Sequence, residues 1–187
     1  MRKNKIDFLV YILFAICVCH CSLAQKENNS KISRQEYKVL NDFFSNLNQG
    51  SKTRIYCKTF FDKGWVRYFN ESGMTLIESE IGTPTTISFE SLDSMLTKKR
   101  LSKIASQISI SRPIKINQKK LNESIELVDK YDEEGYLNVR RISRPIILDD
   151  LAIFRMLSFD EAPIFIMKKE KDNWEVVYTF YDWLILE

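Results

Sequence analysis

The stretch "YLNVRRISRPIILDDLAIFRMLSFDEAPIFIMKKEKDNWEVVYTFYDWLIL" covers residues 136–186 and decides the fold. It holds four runs that are rich in aromatic and β-branched residues, and the turn-forming segments "LDD", "DEAP" and "KDN" separate them. Runs this close together in sequence pair as neighbouring antiparallel strands. We therefore predict a C-terminal four-strand meander.

The last of these runs, 174–186, carries aromatic residues on both faces of a strand. Such a strand is either covered on both faces or exposes one face to a ligand or partner, and we expect burial, with helices on one side. Unless a bulge intervenes, alternation places Trp174, Val176, Tyr178 and Phe180 on one face and Val177, Thr179, Tyr181 and Trp183 on the other.

Two helical segments precede the meander. Ser33 and Glu36 have the spacing of a capping box, and apolar residues recur at helical intervals after them, which predicts a helix over 34–48. The middle segment, 88–108, returns to helical spacing. Serine and threonine residues that are able to cap a helix stand at two places in it, so it is one broken helix or two. These caps are Ser88 and Thr97.

The region between the helices is rich in aromatic and β-branched residues, which predicts three strands, at 53–61, 65–69 and 74–79. Residues 118–129 stay open between helix and strand, and the alternation of apolar residues favours a strand at 125–129.

The elements together predict an α+β fold. An N-terminal helix and a middle helical segment pack on an antiparallel sheet, and residues 33–187 form a single domain.

The first 24 residues have the pattern of a secretory signal peptide. Basic residues precede the uncharged run "FLVYILFAICVC" (8–19), and the small residues Ser22 and Ala24 form a cleavage motif. The apolar run is shorter than the roughly 20 residues that span a bilayer. We predict that residues 1–24 are removed, that the protein is exported to the periplasm or the extracellular space, and that residues 25–32 are a flexible lead-in.

The run "CVCHC" (17–21) holds three of the four cysteines and the only histidine. A metal site is disfavoured there because the segment is expected to be removed, and structural zinc ligands usually come as two separated pairs. Lipid attachment is the weaker alternative, since bacterial lipidation needs a small residue before the modified cysteine. The preceding residues here are Ile16, Val18 and His20.

Removal of the signal also removes the only histidine and three of the four cysteines. The whole chain carries a net charge of +3, and because residues 1–24 hold three basic residues and one acidic residue, +1 remains. The remainder has no histidine, which excludes Ser-His-Asp and Cys-His pairs and the HExxH zinc motif. Its single cysteine, Cys57, forms no intramolecular disulfide. We predict no cofactor, no metal, no nucleic-acid partner and no stable membrane span after cleavage.

Catalysis would then rest on carboxylates, a Ser/Lys pair, tyrosine or an oxygen-ligated metal. The acidic groups at 132–134, 149–150 and 160–161 all lie at predicted turns, where acids are ordinarily solvated. A glycosidase needs two carboxylates roughly 5–10 Å apart across a cleft, which a sequence does not reveal. We predict no catalytic residue. As candidate binding residues we take Tyr181, Trp183, Arg144 and Asp149.

The C-terminal stretch contains a Ser-x-Pro-Ile strand, a short acidic turn, an alanine-containing strand, and a Lys-Lys pair before two tryptophans. These motifs consist of Ser143, Pro145, Ile146, Ala152, Lys168, Lys169, Trp174 and Trp183. In them the chain resembles small exported proteins of unknown function that are common in Bacteroidetes-type bacteria. It departs from many of them at "SFDEAP" (158–163), where they have a glycine-rich turn. The resemblance implies export and no particular activity.

Two functions stay open. The favoured hypothesis is an exported, non-catalytic protein that binds an unknown protein or glycan, or that is associated with the envelope. The alternative is a carboxylate-dependent glycan hydrolase. Two facing acids in one cleft would favour the enzyme, and acids scattered at loop tips would favour the binding protein.

We expect export to remove residues 1–24, because the charged, apolar and small segments follow one another in the order that a signal peptidase recognises. Intact mass spectrometry of the protein from the envelope fraction should give a chain that begins at Gln25. A full-length mass, or one that includes a diacylglyceryl group, would contradict this.

Overall fold

The computed structural model describes residues 31–47, 52–70, 77, 82–84, 86–129, 139–159 and 161–182. The predicted signal segment and nearly all of the predicted lead-in lie outside these residues. Ile32, which we assigned to the lead-in, is buried in the core. No helix among the described residues is long and apolar enough to cross a membrane.

The described residues form three α-helices and two 3-10 helices. The α-helices are α1 (Arg34–Leu47), α2 (Phe89–Met95) and α3 (Lys98–Ile110), and the 3-10 helices are Gly64–Phe69 and Gln118–Lys120.

The predicted helix starts are confirmed. At α1 the Ser33 amide donates to Glu36 Oε2 at 2.6 Å, and the Glu36 amide donates to Ser33 Oγ at 3.2 Å. The middle segment is two helices, because Ser88 caps α2 and Thr97 caps α3 through their side-chain oxygens. Each cap satisfies a backbone donor that has no partner inside its helix.

Eight described strands form one sheet. They are β1 (Thr53–Tyr56), β2 (Gly82–Pro84), β3 (Ile125–Val128), β4 (Val139–Ile142), β5 (Ile146–Leu148), β6 (Leu151–Leu157), β7 (Pro163–Glu170) and β8 (Asn173–Tyr181). The order across the sheet is β2-β8-β7-β6-β4-β1-β3, and β5 pairs with β6 beside this path.

The α+β class is confirmed, but the sheet is mixed and not purely antiparallel as predicted. β1 runs parallel to both of its neighbours, with Thr53 opposite Ile125 in β3 and Arg54 opposite Val139 in β4. The other pairs are antiparallel. An alternating strand has the same sequence pattern in both kinds of ladder, so the pattern does not reveal the direction of pairing.

The meander also differs in strand count. Its first predicted run is interrupted at Ser143–Pro145 and forms two strands, β4 and β5, which both pair antiparallel with β6. Proline has no amide hydrogen to give to a ladder, so Pro145 ends the continuous pairing. The hairpins β6-β7 and β7-β8 are as predicted.

Among the earlier predicted strands, the first is shorter than expected and is β1. The strand predicted at 65–69 is wrong: Gly64–Phe69 is a 3-10 helix that buries Trp65, Tyr68 and Phe69. The strand predicted at 74–79 lies outside the described residues except for Ile77, which is buried and helical, so a strand is wrong at that residue. The strand favoured at 125–129 is confirmed as β3.

The core lies on both faces of the sheet. Alternate residues of β6 point to opposite faces, so Phe154 packs on the side of α1 and Ile153 packs on the side of α3 and the first 3-10 helix. Helices thus cover the C-terminal strands from both sides.

A bulge in β8 decides which aromatic residue faces which helix. The β7-β8 register shifts between Ile166, opposite Tyr178, and Met167, opposite Val176. As a result Trp174 belongs to the α1 side, and Tyr178 and Phe180 belong to the α3 side. Regular alternation places Trp174, Tyr178 and Phe180 on one face of the strand. Because of the bulge, Trp174 faces the opposite side from the other two.

Deletion of residues 174–187 should unfold the domain. β8 lies inside the sheet between β2 and β7, and burial of each large aromatic residue is worth about 2–3 kcal/mol against a total stability of about 5–15 kcal/mol. Circular dichroism should show no cooperative melting for the chain that ends at Asn173. A soluble and cooperatively melting truncation would show that β8 is dispensable.

Candidate functional site

Arg144, one of the four candidate binding residues, holds α1 on the sheet. Its Nε lies 2.5 Å from Oε1 of Glu36, a buried carboxylate that also closes the capping box of α1. The guanidinium therefore neutralises a charge that the fold itself buries.

Asp149 lies on the other side of the molecule from this ion pair. It occupies the turn between β5 and β6 with φ of 55°, its side chain is 81% exposed, and its carboxylate is 3.8 Å from Arg100 of α3. Arg100 makes its closer bond, 3.0 Å, with Asp150. Because α1 and α3 pack on opposite faces of the sheet, Arg144 and Asp149 do not share one site.

The two aromatic candidates are less informative. Tyr181 is half-buried at the end of β8. Trp183 lies outside the described residues, as do the acidic group at 132–134 and Asp160. Within the part of the chain that the structure describes, no group of three or more His, Cys, Asp or Glu side chains is placed to hold a metal ion.

A cluster of four charges lies where β6, the end of β8 and the first 3-10 helix meet, with two of its side chains buried and two about a third exposed. We call it the arginine cluster: Arg155, Asp62, Asp182 and Arg67. The side chain of Arg155 has 0% exposure. Its Nη1 donates to Asp62 at 2.6 Å, and its Nη2 donates to Asp182 at 2.9 Å. Arg67 donates to the second oxygen of Asp182 at 2.6 Å.

The arginine cluster contains two positive and two negative charges, so it is electrically balanced inside the fold. Arg67 also donates to the Tyr68 hydroxyl at 2.8 Å. Burial raises the pKa of Tyr68 to about 12, and the neighbouring Asp182 acts in the same direction. The cluster joins three separate parts of the chain, so its role is to stabilise the fold.

The described residues also form an open groove of about 570 Å³ between α1 and the second 3-10 helix. We call it the α1 groove. Its lining residues are Arg34, Tyr37, Lys38, Asn41, Asp42 and Lys120. Its volume lies within the range of roughly 300–1,000 Å³ that small-molecule sites occupy.

Hydrogen bonds fix both walls of the α1 groove. The Tyr37 hydroxyl accepts from the Asn117 amide at 2.9 Å. Asn41 donates to the Lys120 carbonyl at 3.0 Å and accepts from the Asn122 amide at 2.9 Å. The helix and the loop opposite are therefore tied together before any ligand binds.

The charge of the α1 groove is positive, since it contains three cations and one carboxylate. The carboxylate of Asp42 is already bonded: both oxygens accept from Lys38, and Oδ2 also accepts from the Trp174 amide at 2.9 Å. The ammonium group of Lys120 lies 5.2 Å from the centre of the Tyr37 ring. Arg34 is exposed and forms no ion pair with any described residue. Two cations are thus available to an anion.

Sequence reasoning missed both features, although each left a signal. Arg34, Lys38 and Asn41 are spaced i, i+4 and i+7, which places them along one polar stripe of α1. Arg155 stands alone in the otherwise apolar run "LAIFRML", and a charge in a buried strand requires a buried partner. The partners themselves, Lys120 and Asp182, come from distant parts of the chain.

Replacement of Arg155 by Met should destabilise the protein by about 3–5 kcal/mol, because it leaves Asp182 buried without its second cation. Urea unfolding measures this free energy. The matched change Arg141→Met, on the exposed surface of β4, should cost about 1 kcal/mol or less. Equal costs for the two variants would show that the arginine cluster does not hold the fold together.

Stability should fall between pH 10 and pH 12. The folded state keeps the Tyr68 proton up to about pH 12, whereas the unfolded chain loses it near the ordinary tyrosine pKa of about 10. The Tyr68 contribution is therefore fully present below pH 10 and is lost as the pH rises through that window. Urea unfolding of the Tyr68→Phe variant should show a flatter pH dependence there than wild type. An identical slope would contradict the assignment.

No protein-family model matches the chain, and neither a curated protein nor a solved structure matches it.

Proposed function

We propose that the protein is an exported, non-catalytic binding domain and that the α1 groove takes an acidic glycan. The observation that carries the proposal is the pair of available cations, Arg34 and Lys120, in a groove where the one carboxylate among the described lining residues is already bonded. The signal pattern at residues 1–24 supports the exported location.

The charges of the α1 groove favour an anionic group on the ligand. An arginine binds a carboxylate through two parallel N–H donors, and a lysine acts as a point charge. Arg34 comes from the first turn of α1 and Lys120 from the facing 3-10 helix, so the two cations approach a ligand from opposite walls. One acidic sugar unit is able to contact both.

The stiffness of the α1 groove also favours binding. Asn122 donates to the Asn41 carbonyl at 3.0 Å and to Ser45 Oγ at 2.7 Å, so three hydrogen bonds join Asn122 to α1. A site that is ordered in advance loses less entropy when its ligand binds. Polar groups beside the cations, such as the Asn41 carboxamide, suit the hydroxyl groups of a sugar.

Glycan hydrolysis has less support. The carboxylates that approach one another, Asp62 and Asp182, do so around the buried Arg155 guanidinium. Both carboxylates therefore have a structural partner, whereas a glycosidase needs two carboxylates that face a substrate across a cleft. From the acidic groups that the sequence singles out, the described residues Asp149 and Glu161 are exposed and lie between strands.

The test is titration calorimetry of the purified protein with oligogalacturonate, with cellohexaose as a neutral control. A double variant, Arg34→Ala with Lys120→Ala, should bind oligogalacturonate at least about tenfold more weakly, since each charge-assisted hydrogen bond is worth roughly 1.5–3 kcal/mol. Binding should also weaken as salt is added.

The matched control is Lys98→Ala with Lys99→Ala, which removes two exposed cations from the first turn of α3. It should bind like wild type. The proposal is wrong if oligogalacturonate does not bind, if cellohexaose binds equally well, or if the two double variants behave alike.

A further inference from the structure

The strand β3 is the last strand of the described sheet, at the end opposite to β2. Its pairing with β1 uses the carbonyls of Ser124 and Val128, which accept from the Thr53 and Cys57 amides at 2.8 Å each. Because backbone groups alternate between the two sides of a strand, those of Ile125 and Leu127 point away from β1.

A side chain imitates a neighbouring strand at this outer edge. Gln118 Nε2 donates to the Ile125 carbonyl at 2.8 Å, and Gln118 Oε1 accepts from the Leu127 amide at 2.8 Å. One carboxamide thus bonds the two backbone groups that the N–H and C=O of a single residue in a parallel neighbouring strand would bond. Gln118 bonds the carbonyl of one residue and the amide of the residue two positions later, which is the hydrogen-bond pattern of a parallel neighbouring strand. On its other side, β3 already has a parallel neighbour, β1.

The space beside this edge is open and acidic. A groove of about 420 Å³ runs along β3 and includes Gln118 and Ile125 in its lining. Glu123 and Glu126 also line it, are exposed, and form no ion pair with any described residue. Among the described lining residues Lys52 is the single cation, so these residues together carry a net charge of −1.

We propose that the outer edge of β3 is a docking site for an extended, basic segment of a partner protein, which displaces the Gln118 carboxamide and adds to the sheet as a further strand. The chemistry that the edge already recognises is an amide group, which points to a peptide backbone as the ligand. The two unpaired glutamates favour lysine or arginine side chains on that segment. This edge is separate from the α1 groove.

A second copy of this chain is the less suitable occupant. Pairing of β3 with β3 would bring the acidic edges formed by Glu123 and Glu126 together, and like charges across a strand pair are destabilising. Gln118 also protects the edge while no partner is present, because a bare row of amides and carbonyls is a template for aggregation. The partner segment must therefore bind strongly enough to replace two hydrogen bonds.

The test uses the whole protein and the peptide acetyl-Lys-Val-Lys-Val-Lys-Val-amide, with calorimetry and hydrogen exchange at the Leu127 amide. The variant Gln118→Ala should bind the peptide about tenfold more tightly than wild type, because the internal competitor is gone. The matched change Gln107→Ala, on α3, should leave the affinity unchanged. Bound peptide should protect Leu127 in the Gln118→Ala variant.

Two N-methylated peptides test the backbone contact. Only one set of alternate amides faces β3, so methylation of all valines or of all lysines should abolish binding in one case and spare it in the other. If Gln118→Ala melts less cooperatively, Gln118→Met, which keeps the length but not the carboxamide, provides the same comparison. The proposal fails if the peptide does not bind, if wild type and Gln118→Ala bind it equally, or if both methylated peptides still bind. If the Gln118→Ala variant dimerises without peptide, the edge binds a second copy of the chain, and the proposal of a basic partner segment is wrong.

Discussion

A fully buried guanidinium is the constraint on which the arrangement of the chain depends. A charge without solvent is costly unless charged partners surround it, and Arg155 meets this requirement with Asp62 and Asp182. One partner precedes the first 3-10 helix and the other follows β8. Both segments must therefore converge on β6, and this fixes the 3-10 helix, with its aromatic residues, against the α3 side of the sheet.

A second ion pair, between Glu36 and Arg144, fixes α1 on the opposite face of the sheet and involves fewer residues. Glu36 caps its own helix and accepts from Arg144, so α1 is positioned both along its axis and against the sheet. The bond from the Trp174 amide to Asp42 secures the helix further along. None of these contacts uses Arg34 or Lys120, so the two cations stay available in the α1 groove. The fold thus separates the charges that hold it together from the charges that are offered to a ligand.

Local features could be predicted from the sequence, and features that join distant segments could not. The caps at Ser33, Ser88 and Thr97 involve residues three positions apart, and all three are present. The strand predicted within "GWVRYF" is wrong. The aromatic content of this run is typical of a strand, but the i, i+3, i+4 spacing of Trp65, Tyr68 and Phe69 is helical. The direction of β1, the arginine cluster and the α1 groove each depend on partners far away in sequence.

The parallel placement of β1 also determines the order in which the chain becomes structured. Arg54 pairs with Val139, about 85 residues later, and β2 pairs with β8 across a similar separation. Closure of such long loops is slow, whereas the β6-β7-β8 hairpins need only local contacts. A chain that leaves the ribosome with its N-terminus first has no partner for β1 until β3 has emerged, about 70 residues later, and its second partner, β4, follows only after that. We therefore expect β1 to join the sheet only after β3 and β4 are available, whereas the β6-β7-β8 hairpins form from contacts close in sequence.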